Sequence, residues 1–320
     1  MSASGGTKAI IAALLANLGI AATKFIAWGF SGATSMLAEA IHSLADSINQ
    51  ILLLVGGRKS QKAADLKHPF GYGRERFVYA FVVSIILFTV GGVFALYEGY
   101  EKLLHPHELE VWWLPMLVLT AAIVMESFSL RTAVRESRHL KGDASWVSFV
   151  RHAKAPELPV VILEDTAALV GLVFAFFGVG LTALTGNGVF DAIGTLLIGA
   201  LLVAVAIVLG VEIKGLLVGE GASPADSSRI EQAMLAGGEA GAIIHMKTLY
   251  LGPDELMVAA KLAFASEEKV GDVSVAIDAI EARIREAVPE ARVIYIEPDV
   301  HRVGREVPTT TDAIVVKGLD

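Results

Sequence analysis

The sequence predicts an α-helical membrane protein with six transmembrane helices, followed by a C-terminal cytoplasmic α+β domain. Three observations lead there. Of the 320 residues 54% are hydrophobic and only 19% charged, with a mean hydropathy of +0.60, whereas soluble domains carry about 25% charged residues. The charge is also divided unevenly. Residues 1–218 hold 16 acidic and 16 basic side chains, and residues 219–320 hold 18 and 10. An apolar, neutral part therefore meets an acidic, soluble-looking part near Glu220. Finally, the chain has no cysteine, which excludes a disulfide scaffold, thiolate metal ligands and thiol catalysis. A net charge of −8 gives no reason to expect nucleic acid as a partner.

Six apolar stretches are long enough to cross about 30 Å of hydrocarbon as helices. They run at Ala9–Phe30, Ser35–Gly57, Phe77–Leu103, Trp112–Thr132, Leu158–Leu184 and Phe190–Val218. The N-terminus has no basic stretch and no cleavage-site pattern, so the first span is expected to be retained. Loop charge sets the orientation. The connections Arg58–Arg76 and Arg131–Glu157 each contain six basic residues, while the links after spans one and five contain none. Positive loops stay cytoplasmic, which puts both termini in the cytoplasm, or at the inner membrane's cytoplasmic side in a bacterium.

Beyond the spans, Pro224–Gly237 reads as a helix with Ser223 as N-cap, Ile243–Leu251 and Glu255–Phe264 as strands, Val270–Val288 as an amphipathic helix and Arg292–Glu297 as a last strand. This α-β-β-α-β order suggests a small ferredoxin-like domain. The expected division is 1–218 for the membrane part, 219–303 for the cytoplasmic domain and 304–320 for a tail.

Ionisable groups at the bilayer centre cost about 2.5–3.5 kcal/mol each on insertion scales and need a reason. Span two holds the densest set: Ser35, Glu39, His42, Ser43, Asp46, Asn49 and Gln50. Their spacing makes one stripe on one helical face. His42 and Asp46 lie one turn apart and can bind one ion, with a nitrogen–oxygen set that suits zinc and its first-row neighbours. A shell needs more ligands, and span five offers adjacent Glu164 and Asp165. Successive helical residues point about 100° apart, so both need not enter one site, and Asp165 is the first choice. Of the other intramembrane polar residues, Lys24 and Glu98 are read as snorkelling and Asp191 as sitting at a helix N-terminus that favours a carboxylate. Asn17 in span one and Glu126, mid-span, have no evident partner.

Three segments resemble the cation diffusion facilitators. Ser35–Asp46 (SMLAEAIHSLAD) is similar to the family's HxxxD helix, Lys67–Arg76 (KHPFGYGRER) to its HPxGYGR loop, and Phe190–Ala200 (FDAIGTLLIGA) to its Asp-led sixth span. The resemblance covers about Lys8 to Val303. It implies a homodimeric transporter that exports a divalent cation in exchange for protons, with a site between spans two and five. Residue by residue it gives His42, Asp46 and Asp165 as ligands. The fourth position falls at Val161, which cannot bind metal, and Glu164 is the unusual addition. Zinc is the expected cargo, with manganese, iron, cobalt, nickel and cadmium as the other candidates, and no organic cofactor is implied. The family's secondary sites carry over in part. Asp65 and His68 match in the loop, with Tyr72 in place of a third ligand. In the C-terminal domain His245 matches and Glu297 can stand in for another ligand, while Lys261 occupies a ligand position.

Such a site explains proton coupling: its ligands must be unprotonated to hold metal, and imidazole has an ordinary pKa of about 6.5. The apolar helix face of Val273, Ile277 and Ile280 is expected to dimerise. An intramembrane metalloenzyme is disfavoured, since HExxH is absent. The other alternative is a metal-sensing membrane protein that keeps the fold without turnover, to which Val161 and Lys261 point.

Overall fold

A computed structural model describes residues 3–106, 109, 111–142 and 145–300, the side chains of 3–13, 15, 16, 139, 140 and 152 excepted. The expected tail, the domain end at Val303, and His107 and His301 lie outside this set. The chain forms two compact units, Met1–Lys59 with Glu75–Lys214, and Ser60–Arg74 with Gly215–Asp320.

Helices occupy all six predicted positions: α1 (Ala3–Ser31), α2 (Thr34–Ser60), α3 (Glu75–Leu104), α4 (Trp113–Lys141), α6 (Glu157–Thr185) and α7 (Val189–Val218), with a short α5 (Trp146–His152) between the fourth and fifth. Among the described residues, α3, α4, α6 and α7 are long and apolar enough to cross a membrane. The first unit is inverted relative to a soluble protein. Phe128, Leu184 and Val211 face outward, while Lys24, Glu39, His42, Asn49, Asp191 and Thr195 are buried. Apolar side chains outside and polar ones inside suit hydrocarbon as the surrounding solvent. The interior is completed by Met36, Leu87, Leu172, Val179, Ile198 and Leu202.

Three features of this unit are not read from hydropathy. Helix α4 runs nine residues past Thr132, because hydropathy marks the hydrocarbon boundary and not the end of a helix. Helix α5 follows, opened by Ser145, whose Oγ accepts from Ser148 N at 3.1 Å. In α3 the stretch Leu87–Val93 is π-helical. There Gly92 lies so close to α7 that a Cβ would come within 3.1 Å of Val203 N. π-Bulges of this kind re-aim the side chains that follow them.

In the second unit α8 (Pro224–Leu235) and α9 (Val270–Ala287) pack on each other, α8 also against β1 (Ala242–Gly252) and α9 against β3 (Ala291–Val300). Strand β2 (Glu255–Phe264) is central, antiparallel to β1 and parallel to β3. Ser223 caps α8 as its sequence suggests, accepting from Asp226 N at 3.1 Å. Alternation along β2 turns Leu256, Val258, Ala260 and Leu262 inward, onto Ile230, Met234, Ile280 and Ile284. Ile280 is thus core rather than a dimer face, with Val273 and Ile277 packed beside it. A helix beside a three-stranded sheet must cover that sheet before it can serve a partner.

Candidate metal site

Helix α2 begins just after a tight turn. Gly32 has φ +66°, a left-handed conformation that glycine adopts without penalty, and the buried Lys102 of α3 donates to its carbonyl at 3.3 Å. The first amides of α2 would be orphans. Asp191 of α7 satisfies them: its Oδ2 accepts from Thr34 N at 2.7 Å and Thr34 Oγ1 at 3.0 Å, and its Oδ1 from Ser35 N at 3.3 Å and from Ser35 Oγ. The carboxylate expected to favour its own helix's N-terminus therefore also caps another.

With its start fixed, α2 turns its polar stripe inward: Ser35, Glu39, His42, Ser43, Ser47 and Asn49 are buried. His42 is 1% exposed, and its Nε2 lies 3.5 Å from Asp46 Oδ2. Among the described residues neither ring nitrogen has a hydrogen-bond partner, nor has Asp46 Oδ1. Buried polar atoms are almost always paired, so three orphans side by side require an explanation. The separation supplies one. Two atoms each about 2.1 Å from a tetrahedral ion stand about 3.4 Å apart, so the pair already has the spacing of two zinc ligands.

The other predicted ligands are placed differently. Glu164 is buried on α6 and its Oε1 accepts from Asn49 Nδ2 of α2 at 2.7 Å. Asp165 turns toward α4, where its Oδ2 accepts from Ser129 Oγ at 2.9 Å. The 100° step between neighbours thus directs Glu164, and not the first-choice Asp165, to α2. Val161 packs beside the apolar cluster of Ala133, Phe149 and Ile162. Among the described residues, no three or more His, Asp or Glu side chains converge closely enough to hold an ion, so His42 and Asp46 form a pair and Glu164 and Asp165 stand outside it.

On its other side Asp46 lines a small polar pocket with Asn17, Ile20, Ser43 and Glu126. This accounts for Asn17 and Glu126, whose sequence neighbours suggest no partner. Lys24 does not snorkel. It is fully buried, donating to Glu39 Oε2 at 3.0 Å and Ser43 Oγ at 2.7 Å. A sequence signal for this pair existed: Lys24 lies seven residues before the end of α1 and Glu39 five after the start of α2, hence at similar depth in a helical hairpin.

In the loop, Asp65 is engaged by protein donors. Its Oδ1 accepts from Lys67 N at 3.0 Å and His68 N at 2.8 Å, and its Oδ2 from the Tyr72 hydroxyl at 2.7 Å. His68 Nδ1 is 3.5 Å from Asp65 Oδ1. The Tyr72 hydrogen bond, helped by these amides, holds the Asp65 carboxyl down at about 2. Gly73 follows, and a Cβ there would come within 2.7 Å of Leu251 O. In the sheet His245, Lys261 and Glu297 form one cross-strand row. Lys261 Nζ reaches Glu297 Oε1 at 2.8 Å and Asp299 Oδ2 at 3.2 Å, and these hydrogen bonds raise its pKa. His245 Nδ1 has no hydrogen-bond partner among the described residues.

The family model for the cation efflux transmembrane domain matches residues 10–217. A proton-coupled zinc antiporter of Xenopus laevis, SLC30A9, mitochondrial, is 33% identical over 267 residues, which is 82% of this chain and 48% of that protein. Metal tolerance protein C4 of Arabidopsis thaliana is 29% identical over 261 residues, covering 80% of this chain and 57% of its own length. The magnetosome protein MamM of Magnetospirillum gryphiswaldense is 30% identical over 127 residues, 36% of this chain and 40% of its own. The chain spans about half the length of the first two. The family match extends from α1 to the end of α7 and takes in His42, Asp46, Glu164 and Asp165, so this chain belongs to the cation efflux family, the cation diffusion facilitators.

Proposed function

We propose that the protein is a secondary transporter, not an enzyme, that moves a divalent metal cation across a membrane in exchange for protons, with zinc as the cargo. The observation that carries this is the His42–Asp46 pair at 3.5 Å, in which both imidazole nitrogens and Asp46 Oδ1 are buried without a hydrogen-bond partner among the described residues. The naming of relatives as a proton-coupled zinc antiporter and a metal tolerance protein supports it. All six long helices cross the bilayer, the basic connections and both termini face the cytoplasm, and residues 219–303 form a cytoplasmic domain of ferredoxin-like type. The active form is a homodimer.

In this reading His42 and Asp46 are the permanent half of the site. Glu164 and Asp165 complete it when α6 moves against α2, which exchanges the Asn49 and Ser129 hydrogen bonds for the ion. Alternating access then exposes the ion to each side in turn. Ion entry displaces protons from the imidazole and carboxylates, and acid on the far side expels the ion by returning them. The loop and sheet groups Asp65, His68, His245 and Glu297 are at most weak ligands, since Tyr72 and Lys261 already occupy Asp65 and Glu297.

The test is Zn2+ flux into proteoliposomes under an imposed pH gradient. His42→Ala and Asp46→Ala are expected to abolish flux, exceeding the roughly 10–100-fold loss that removal of even an outer-shell partner causes, while the protein still reconstitutes. Normal flux in both would remove the assignment. Val161 favours one competing reading, a metal sensor without turnover, which would show Zn2+ binding at His42 and Asp46 with no flux in any gradient.

A further inference from the structure

The buried Lys24–Glu39 pair is not used by the transport reading, yet it lies on the same face of α2 as the site. Glu39, His42, Ser43 and Asp46 stand at i, i+3, i+4 and i+7 on one face of α2. Glu39 is therefore one turn from His42 and of the same chemistry as Asp46. Left to itself, Glu39 would add a second carboxylate to the face that carries His42 and Asp46. The ammonium of Lys24 lies on this row, bonded to Glu39 at 3.0 Å and to Ser43, directly after His42, at 2.7 Å. Both members of the pair are fully buried.

The second Glu39 oxygen, Oε1, is buried with no hydrogen-bond partner among the described residues. It points at α6, where a Cβ on Gly171 would lie 2.7 Å from it. A buried carboxylate with one oxygen free is competent to bind a cation, and the one charge that occupies it belongs to the protein. Buried ion pairs are poor stabilisers relative to apolar packing, so stability alone gives little reason to keep this one.

We infer that Lys24 is a tethered cation that sets the metal affinity of the transport site, by withholding Glu39 from the ion and by opposing it electrostatically. The inference rests on the assignment of His42 and Asp46 as ligands. It makes Lys24 a positioning and affinity-determining residue rather than a ligand. Its consequence for transport is that the cargo is bound loosely enough to leave.

Two neutral substitutions then act in opposite directions, which a merely structural role would not produce. Lys24→Met keeps the stem and removes the charge, freeing Glu39. Glu39→Gln leaves the ammonium uncompensated beside the site. Zn2+ titration of the detergent-purified full chain is expected to show about tenfold tighter binding in Lys24→Met and about tenfold weaker binding in Glu39→Gln. The double variant is expected near wild type. In proteoliposomes Lys24→Met should turn over several-fold more slowly, because the ion is retained. Shifts in the same direction, or no shift in either single variant, overturn the inference. If Lys24→Met fails to accumulate, Glu39→Gln decides by itself: unchanged or tighter Zn2+ binding overturns it and weaker binding supports it. His42→Ala in the same titration separates the two claims, since wild-type binding there would remove the site assignment itself.

Discussion

Tyr72 shows how one hydroxyl can replace a ligand. It donates to Asp65 and accepts from Lys62 Nζ at 3.1 Å, so the loop is closed by protein groups that also fill the Asp65 carboxylate. Because the folded carboxyl sits at about 2, below its ordinary value of about 3.9, its contribution to loop order is complete above the ordinary range. It is lost only as the pH falls toward 2. Tyr72→Phe removes the largest cause of the depression, so the loss moves to higher pH. The amides of Lys67 and His68, both bonded to Asp65, report it. At pH 4 their hydrogen-exchange protection, normalised for the intrinsic rate, is expected to hold in wild type and to fall in Tyr72→Phe. At pH 7 the two should be close. Equal protection at pH 4 would mean that the hydroxyl does not set this carboxylate.

At the same scale, His42 and Asp46 are legible in the sequence because both sit on one helix and the turn fixes their spacing. The pairs Lys24–Glu39, Asn49–Glu164 and Ser129–Asp165 each join two helices. Local spacing carries no information about rotation between helices, so those partners were hidden. Only the first had a hint, from its position about a short turn.

At the scale of elements, α2 depends on a neighbour for its start. Four donors of Thr34 and Ser35 converge on the buried Asp191, and this fixes where the stripe bearing His42 begins. Loss of an ordinary N-cap costs about 0.5–2 kcal/mol. Asp191→Ala also strands the buried N–H of Ser35 and the part-buried N–H of Thr34, so about 2 kcal/mol is expected. The thermal midpoint of the detergent-purified chain should fall by several degrees, and by less in Asp191→Asn, which keeps one acceptor. An unchanged midpoint in Asp191→Ala would show that water or another group can cap α2. Helices themselves were legible from apolar length, and the strands from alternation. The polar end of α4, the short α5 and the π-helical turn in α3 were not. Each depends on capping or on close approach to another helix, as at Gly92 and Val203, and not on hydropathy.

For the whole molecule, the two units are built on opposite solvent rules. The first buries Lys24, Glu39, His42 and Asp191 and shows apolar side chains such as Phe128 and Val211, and the second buries Ile280, Ile284, Leu256 and Met234 in a core of the ordinary kind. Their hydrophobic clusters share no residue. A core substitution in one should therefore be felt in that one alone. Ile280 is fully buried, and its replacement by Ala is expected to cost about 2–5 kcal/mol, as buried Leu or Ile truncations do. This distinguishes core from dimer face, the role that the sequence suggested for Ile280. If it is core, Ile280→Ala lowers hydrogen-exchange protection throughout residues 224–300 at any protein concentration, while the buried amides of α6 and α7 keep theirs. If it were a dimer face, protection would be lost only on dilution. Val275 lies on the same helix but is 69% exposed, so Val275→Asp should leave that protection unchanged. Should Val275→Asp instead dissociate a dimer with the fold intact, the contact between copies would lie on the outer side of α9, two residues and about 200° around the helix from Val273 and Ile277.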